Sequence, residues 1–243
     1  MLRAARALRD RALRDRAQLQ GRLREARAVL RQATLLPYDV GAPLVPTSVA
    51  PGEHVVVFLH GLFASAGVLR PLRTRFLAEA QIRTAALSYA PAPEVASLTA
   101  RLRALVDALP SETPVHVVGH SLGGIVARDY ARAPGSHRLR SIVTLASPFG
   151  GVRGAARFGF GSARDLDPES QVLRELRSQP IAVPHLSLLA RDDGLTTDHE
   201  AHRTPGSELQ VVAGVGHHSV LFDPRVAELV LGFVRRHVGV DPH

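Results

Sequence analysis

The sequence predicts an α/β fold, a mostly parallel central sheet covered by helices on both faces. Three observations carry that prediction. Short runs that are apolar almost throughout alternate with segments of helical period, which is the pattern of strands buried on both faces. At 243 residues, 45% apolar and 21% charged, the chain is long and apolar enough for one sizeable packed domain. Glycine-rich turns sit where strands give way to helices, as crossover connections require.

Taken in order, "HVVVFLH" (54–60) reads as a buried strand and "VLRPLRTRFLAEA" (68–80) as a helix. "IRTAALSY" (82–89) is a strand, followed by the helix "EVASLTARLRALVDAL" (94–109), with Val95, Leu98, Leu102, Leu105 and Val106 on one face. "VHVVGH" (115–120) is a strand, "LGGIVARDYARA" (122–133) a helix and "LRSIVTLAS" (139–147) the next strand. After an irregular stretch come the strands "PHLSLLA" (184–190) and "ELQVVAG" (208–214), then a closing helix, "DPRVAELVLGFVRRH" (223–237). There is no internal repeat.

Residues 1–36 stand apart as a basic helical arm. They hold ten arginines against Asp10, Asp15 and Glu25, a net of +7, which leaves about +1 of the total +8 for the rest. Ala, Leu and Arg dominate and no proline occurs before Pro37, so one long helix is expected. Small and apolar residues recur every seven at Ala5, Ala12, Leu19, Ala26 and Ala33, which suggests a packing seam. The second stripe of a coiled coil fails, because Asp15 and Arg22 follow Leu8 at that spacing. The expected role is to rest on its own domain or on a second copy, with an anionic membrane surface as the alternative. Nucleic acid is excluded as a partner, since no aromatic residue is interleaved for base stacking. Four prolines (Pro37, Pro43, Pro46, Pro51) make residues 37–53 an extended linker to a domain spanning 54–240.

No apolar run reaches the length that spans a bilayer, and the N-terminus lacks the apolar core of a secretory signal. The chain has no cysteine, hence no disulfide and no thiolate metal site. The expected location is the cytoplasm, with a peripheral place at a membrane surface as the alternative the arm raises.

The chemistry concentrates at strand ends. Gly119-His120-Ser121-Leu122-Gly123 is a G-x-S-x-G pentapeptide with a strand before it and a helix after it, the context of a nucleophile elbow. Such a turn projects the Ser121 hydroxyl out of the sheet. A serine needs a base to take its proton and a cradle for the developing oxyanion. In "VVVFLHGLF" a strand ends at His60-Gly61, so the N–H of Leu62 is one cradle donor and that of Leu122 the other. His60 precedes the nucleophile and His120 points away from it within the elbow. Both are expected to be structural.

These blocks, with "IVTLASPFGG", "ARDDGLT" and "GVGHHSVLFDPRV", resemble the α/β-hydrolase superfamily over about residues 54–237, most closely small bacterial triacylglycerol lipases and esterases. The resemblance implies the α/β-hydrolase fold with a short cap insertion at about 148–183. It implies His217 as the base, with His218 a neighbour on the loop. It selects Asp193 as the triad acid, with Thr196-Thr197 where the family usually has Val-Pro. Asp192 stays open as the alternative, with Asp198 behind it. In the cap region Phe149, Phe158 and Phe160 are expected to form a mobile apolar cover over an acyl pocket, or else to pack into the local core. Phe63 joins them as a substrate-binding candidate. "His199-Glu200-Ala201-His202" lacks zinc-protease spacing and reads as solvated loop, so neither metal nor cofactor is expected. The implied activity is ester hydrolysis on substrates with an apolar acyl chain. A phospholipase, an acyltransferase and a non-catalytic scaffold are the alternatives.

Overall fold

The computed structural model describes residues 2–90 and 93–239, with side chains described for Arg16 and from Gln18 onward. Six strands form one sheet in the order β2-β1-β3-β4-β5-β6, and every neighbouring pair is parallel. They are β1 (His54–Leu59), β2 (Ile82–Leu87), β3 (Val115–His120), β4 (Leu139–Leu145), β5 (His185–Ala190) and β6 (Ser207–Val212). The first five lie within predicted runs, trimmed by up to two residues at their ends, and β6 begins one residue before its predicted run and stops two short of its end.

Alternation along the strands divides the core in two. Val55, Val57 and Leu59 of β1 with Val115 and Val117 of β3 face α3 (Val95–Asp107) and α4 (Leu122–Arg132). Val56 and Phe58 with Val118, Val143 and Leu186 face α2 (Arg70–Phe76) and α7 (Pro224–Arg235). Because both faces are covered, every position of β1, β3 and β5 is buried. That is why these strands read as continuous apolar runs.

The predicted helix at 68–80 divides. Ala66–Leu69 is a 3-10 turn capped by the Ser65 side chain, and Pro71 starts α2 within its first turn, where a missing N–H removes no helical bond. The cap region holds a 3-10 turn at Ala155–Phe158, then α5 (Gly161–Asp165) and α6 (Gln171–Ser178). Ser170 caps α6 by accepting from Leu173 N–H.

The arm is one helix, α1 (Leu2–Leu35). Its buried stripe is not the predicted seam. Leu19 is 59% exposed, and Ala26 and Ala33 are exposed as well, whereas Ala28 is buried and Gly21, Glu25, Gln32 and Leu35 are partly covered. The side chains of Ala5 and Ala12 lie outside the described residues. Apolar periodicity misplaced the face because an acid, not a leucine, anchors this helix. The segment 37–53 runs along the body rather than hanging free. Leu44 bridges to Ala86 at the sheet edge, and Asp39 pairs with Arg73 at 2.9 Å. Among the described residues no helix is long and apolar enough to cross a membrane.

Candidate active site

Parallel strands deliver their following loops to one edge, and the candidate residues all leave from the carboxyl ends of β1, β3, β4, β5 and β6. The tight turn after β3 holds Ser121 at φ 54° and ψ −119°. A side chain rarely adopts such a conformation, which costs about 1–3 kcal/mol and persists only where surrounding structure enforces it. The enforcement is visible at Gly123. A Cβ there would lie 2.3 Å from the Leu59 carbonyl oxygen and 2.8 Å from that of His60, so α4 crosses against the end of β1 with no room for a side chain. Gly119 is equally confined, its Cβ position lying 2.3 Å from the Gly123 carbonyl oxygen.

The loop after β1 passes beside Ser121. A Cβ at Gly61 would sit 3.1 Å from that of Ser121, and Leu62 follows on the wall of the same cavity. Phe63 then takes a left-handed conformation, φ 57°, that presents its ring at the mouth. Leu122 opens α4, where its amide has no acceptor within the helix. Its side chain is fully buried in the core, so only its backbone is available to the site.

His217 and Asp193 meet across 24 residues. His217 Nδ1 lies 2.8 Å from Asp193 Oδ2, and Asp193 Oδ1 accepts from Leu195 N–H at 2.7 Å. Only the imidazole can donate in that first contact, so the proton is on Nδ1 and the Nε2 lone pair is free. Burial opposes ionisation of Asp193, but the hydrogen bond and charge of His217 and the Leu195 amide outweigh it and hold the carboxyl below its usual range. Asp192 is exposed and faces α1, where Gly21 passes 3.5 Å from its Oδ2 as measured from the Cβ position.

The two other histidines near the elbow are braces, as expected. His60 Nδ1–H donates to the Gly61 carbonyl at 2.8 Å, and its Nε2 accepts from Tyr89 N–H at 3.1 Å. The Tyr89 hydroxyl returns a hydrogen bond to the His60 carbonyl, and the rings stack at 3.9 Å. Burial brings His60 down to about 4. His120 Nε2–H donates to the His217 backbone carbonyl at 2.8 Å, which ties the elbow directly to the histidine loop. Burial, reinforced by His217, brings His120 down to about 3, so it remains a neutral donor.

Ser121, His217 and Leu62 open on one cavity of about 210 Å³. Val152, Ala155, Phe158, Ala163, Leu166 and Leu195 give it an apolar wall. Of the four phenylalanines predicted to bind substrate, Phe63 (58% exposed) and Phe158 (66% exposed) are at the mouth. Phe160 is half-buried and does not line the cavity; it packs edge-on against Phe63 with centroids 5.9 Å apart. Phe149 corrects the prediction of a cover. It is fully buried and packs edge-on against His185, because the chain leaving β4 must still fill the space under α6 before the cap begins.

A second correction concerns His202, which is buried rather than solvated. Its Nδ1 accepts from Gly150 N–H at 3.0 Å, fastening the start of the cap. His199 is also partly covered. Among the described residues no cluster of side chains could hold a metal ion.

Three residues escaped the sequence reading. Arg128, fully buried in α4, donates to the carbonyls of Leu176, Gln179 and Pro205 at 2.9–3.0 Å and contacts His185 Nδ1 at 3.0 Å. Nothing in its local pattern marks it. From α1, Gln32 lines the cavity and Glu25 binds the histidine loop. The signal for Glu25 was available, since it is the one acid between Asp15 and Asp39.

The alpha/beta hydrolase family matches residues 56–192, from within β1 through the elbow to the residue before Asp193. No functionally curated protein matches significantly. Among solved structures the chain is similar to Bacillus licheniformis lipase BlEst2, at 15% identity over 82% of this chain and 98% of that one, TM-score 0.59. It is similar to the Bacillus subtilis carboxylesterase CesB, at 20% identity over 88% and 98%, TM-score 0.55. The esterase RhEst1 of a Rhodococcus species is a third, at 19% identity over 78% and 93%, TM-score 0.56. At such identities the likeness establishes the fold and leaves substrate to the site itself. With the family's match covering more than half its length and the fold agreeing, the chain belongs to the alpha/beta hydrolase family.

Proposed function

We propose that this protein is a serine hydrolase that cleaves carboxylic esters bearing an apolar acyl group, through Ser121, His217 and Asp193. The observation that carries the reading is that Ser121 on its strained turn and His217 with Asp193 bonded behind it open on one apolar cavity. Ser121 Oγ attacks the ester carbonyl carbon while His217 Nε2 takes the hydroxyl proton. The Leu62 and Leu122 amides hold the oxyanion, and His217 then protonates the leaving alkoxide as the C–O bond breaks. Water repeats the sequence on the acyl-enzyme, releasing the acid and restoring Ser121. Asp193 keeps the imidazole proton on Nδ1 and stabilises the imidazolium. No metal or organic cofactor takes part in these steps.

The cavity volume sets the acyl group. About 210 Å³ is below the roughly 300–1,000 Å³ typical of pockets for drug-sized ligands. The optimum is therefore at the short end of the acyl series, with longer chains emerging past Phe63 and Phe158. The test is hydrolysis of p-nitrophenyl esters from acetate to palmitate, wild type beside Ser121→Ala. Turnover that falls by several orders of magnitude in the variant supports the mechanism; an equally active variant removes Ser121 from it.

A second reading, a phospholipase at an anionic membrane surface, is favoured by the arm, where Leu19, Leu23 and Leu30 are exposed among the arginines. It expects Leu19→Ser/Leu23→Ser/Leu30→Ser to abolish hydrolysis of anionic vesicles while sparing soluble esters. Equal activity on both would reject it.

A further inference from the structure

The loop that carries His217 is held at three places. Asp193 accepts a hydrogen bond from the imidazole Nδ1–H, and His120 Nε2–H donates to the backbone carbonyl of His217. The third hold comes from α1, 193 residues earlier in the chain. Glu25 Oε1 accepts from the His218 amide at 2.7 Å and from His218 Nδ1 at 2.9 Å, and Glu25 Oε2 accepts from the Ser219 amide at 3.0 Å.

Those amides open the 3-10 turn Ser219–Leu221, of which His218 is the N-cap, where backbone donors lack partners of their own. A local cap would be a serine or aspartate side chain. No side chain of the cap residue fills that role here, and a carboxylate from another helix supplies it, with its charge matched to the exposed N–H dipoles. The carboxylate sits directly against Gly216. A Cβ on Gly216 would lie 2.5 Å from Glu25 Oε2. Burial resists the charge, but the His218 and Ser219 bonds overcome it and bring Glu25 down to about 2.

The same helix face continues to the substrate cavity. Ala28 packs one turn along, and Gln32 lines the cavity with a buried Oε1 that has no hydrogen-bond partner among the described residues. Resting on the ester-hydrolase reading above, we propose that Glu25 is a positioning residue of the active site: the N-terminal helix fixes His217 toward Ser121 by capping the next two residues with the Glu25 carboxylate. Glu25 touches no reacting atom. It acts through His218 and Ser219, so the arm is a working part of the site rather than an appendage.

The test uses the 243-residue chain with Glu25→Ala, Glu25→Gln and, on the exposed face, Val29→Ala. Two rates are read below the unfolding temperature: p-nitrophenyl butyrate hydrolysis, and phosphonylation of Ser121 by a fluorophosphonate probe. Glu25→Ala is expected to lower kcat by roughly 10- to 100-fold, the range that follows displacement of a catalytic group by about 1 Å, with KM nearly unchanged. Phosphonylation should slow by the same factor. Glu25→Gln retains one acceptor but turns an NH2 toward an amide donor, so it should fall between, and Val29→Ala should match wild type. A merely structural role would lower the melting temperature and leave both rates per folded molecule intact, which overturns the proposal. Should Glu25→Ala not fold, Glu25→Gln decides on the same criterion. A wild type inert toward both reagents would instead overturn the ester-hydrolase reading, and this proposal with it.

Discussion

Asp193→Asn is the sharpest test of the site, because the structure dictates which way the new amide must face. Asp193 Oδ1 accepts from the Leu195 backbone N–H at 2.7 Å, and that donor cannot reverse. The asparagine oxygen must remain there, which leaves its NH2 toward His217 Nδ1, now 2.8 Å from Oδ2. An NH2 group only donates, so His217 must offer a lone pair at Nδ1 and carry its proton on Nε2. That is the tautomer unable to accept from Ser121. The same substitution in a serine-protease triad lowers kcat by about 10⁴, and at 1.36 kcal/mol per decade this is roughly 5 kcal/mol of transition-state stabilisation. The assay is kcat on p-nitrophenyl butyrate at pH 7.5, with Asp192→Asn alongside. Asp192→Asn should stay near wild type, since that carboxyl is exposed toward α1. The substitution also has a stability signature. Asp193 is held below its ordinary value in the folded state, so its charge stabilises the fold above the unfolded-state pKa and ceases to do so as pH falls through the folded one. A loss of less than about tenfold in Asp193→Asn, or a larger loss in Asp192→Asn, would refute the assignment of the acid.

Three other outcomes are expected. Arg128→Met removes the donor to the carbonyls of Leu176, Gln179 and Pro205, and since the bond to Leu176 is buried, where an unsatisfied acceptor costs about 1–3 kcal/mol, the loss in urea denaturation should fall in that range; no measurable change would count against a structural role for this arginine. Phe149→Ala should cost about 3–5 kcal/mol of stability as a core truncation, while Phe158→Ala should leave stability alone and weaken kcat/KM on longer acyl chains more than on acetate; matching effects in the two variants would erase the distinction between them. His60 and His116 are held by burial down to about 4 and about 3, and His120 by burial and His217 to about 3, so unfolding takes up protons below the unfolded-state value near 6.5. Each then withdraws about 2 kcal/mol of stability between pH 7.5 and pH 5, and a melting temperature that holds or rises over that interval would contradict their buried, neutral state.

Much of the frame was legible in the sequence because it is written locally. Two-sided burial turns β1, β3 and β5 into uninterrupted apolar runs, and the requirement for small residues flanking Ser121 writes the elbow as a pentapeptide. The arm's contact face was misread because its anchor is polar, and hydrophobic period is silent about a glutamate that satisfies backbone donors. His202 and Phe149 were misassigned for a related reason, since burial of a loop residue depends on what folds over it.

Strand-helix alternation thus determined the fold class, and the pentapeptide the sharp turn that carries Ser121, both of them properties of contiguous residues. Only the tertiary structure decided which of Asp192 and Asp193 faces His217, that Phe149 supports the cap while Phe63 and Phe158 line the mouth, and that Glu25 caps the histidine loop. Neighbours in a turn point opposite ways, and the one that points inward is chosen by the position of the partner strand. A contact spanning 193 residues leaves no trace in either local segment until the chain brings them together.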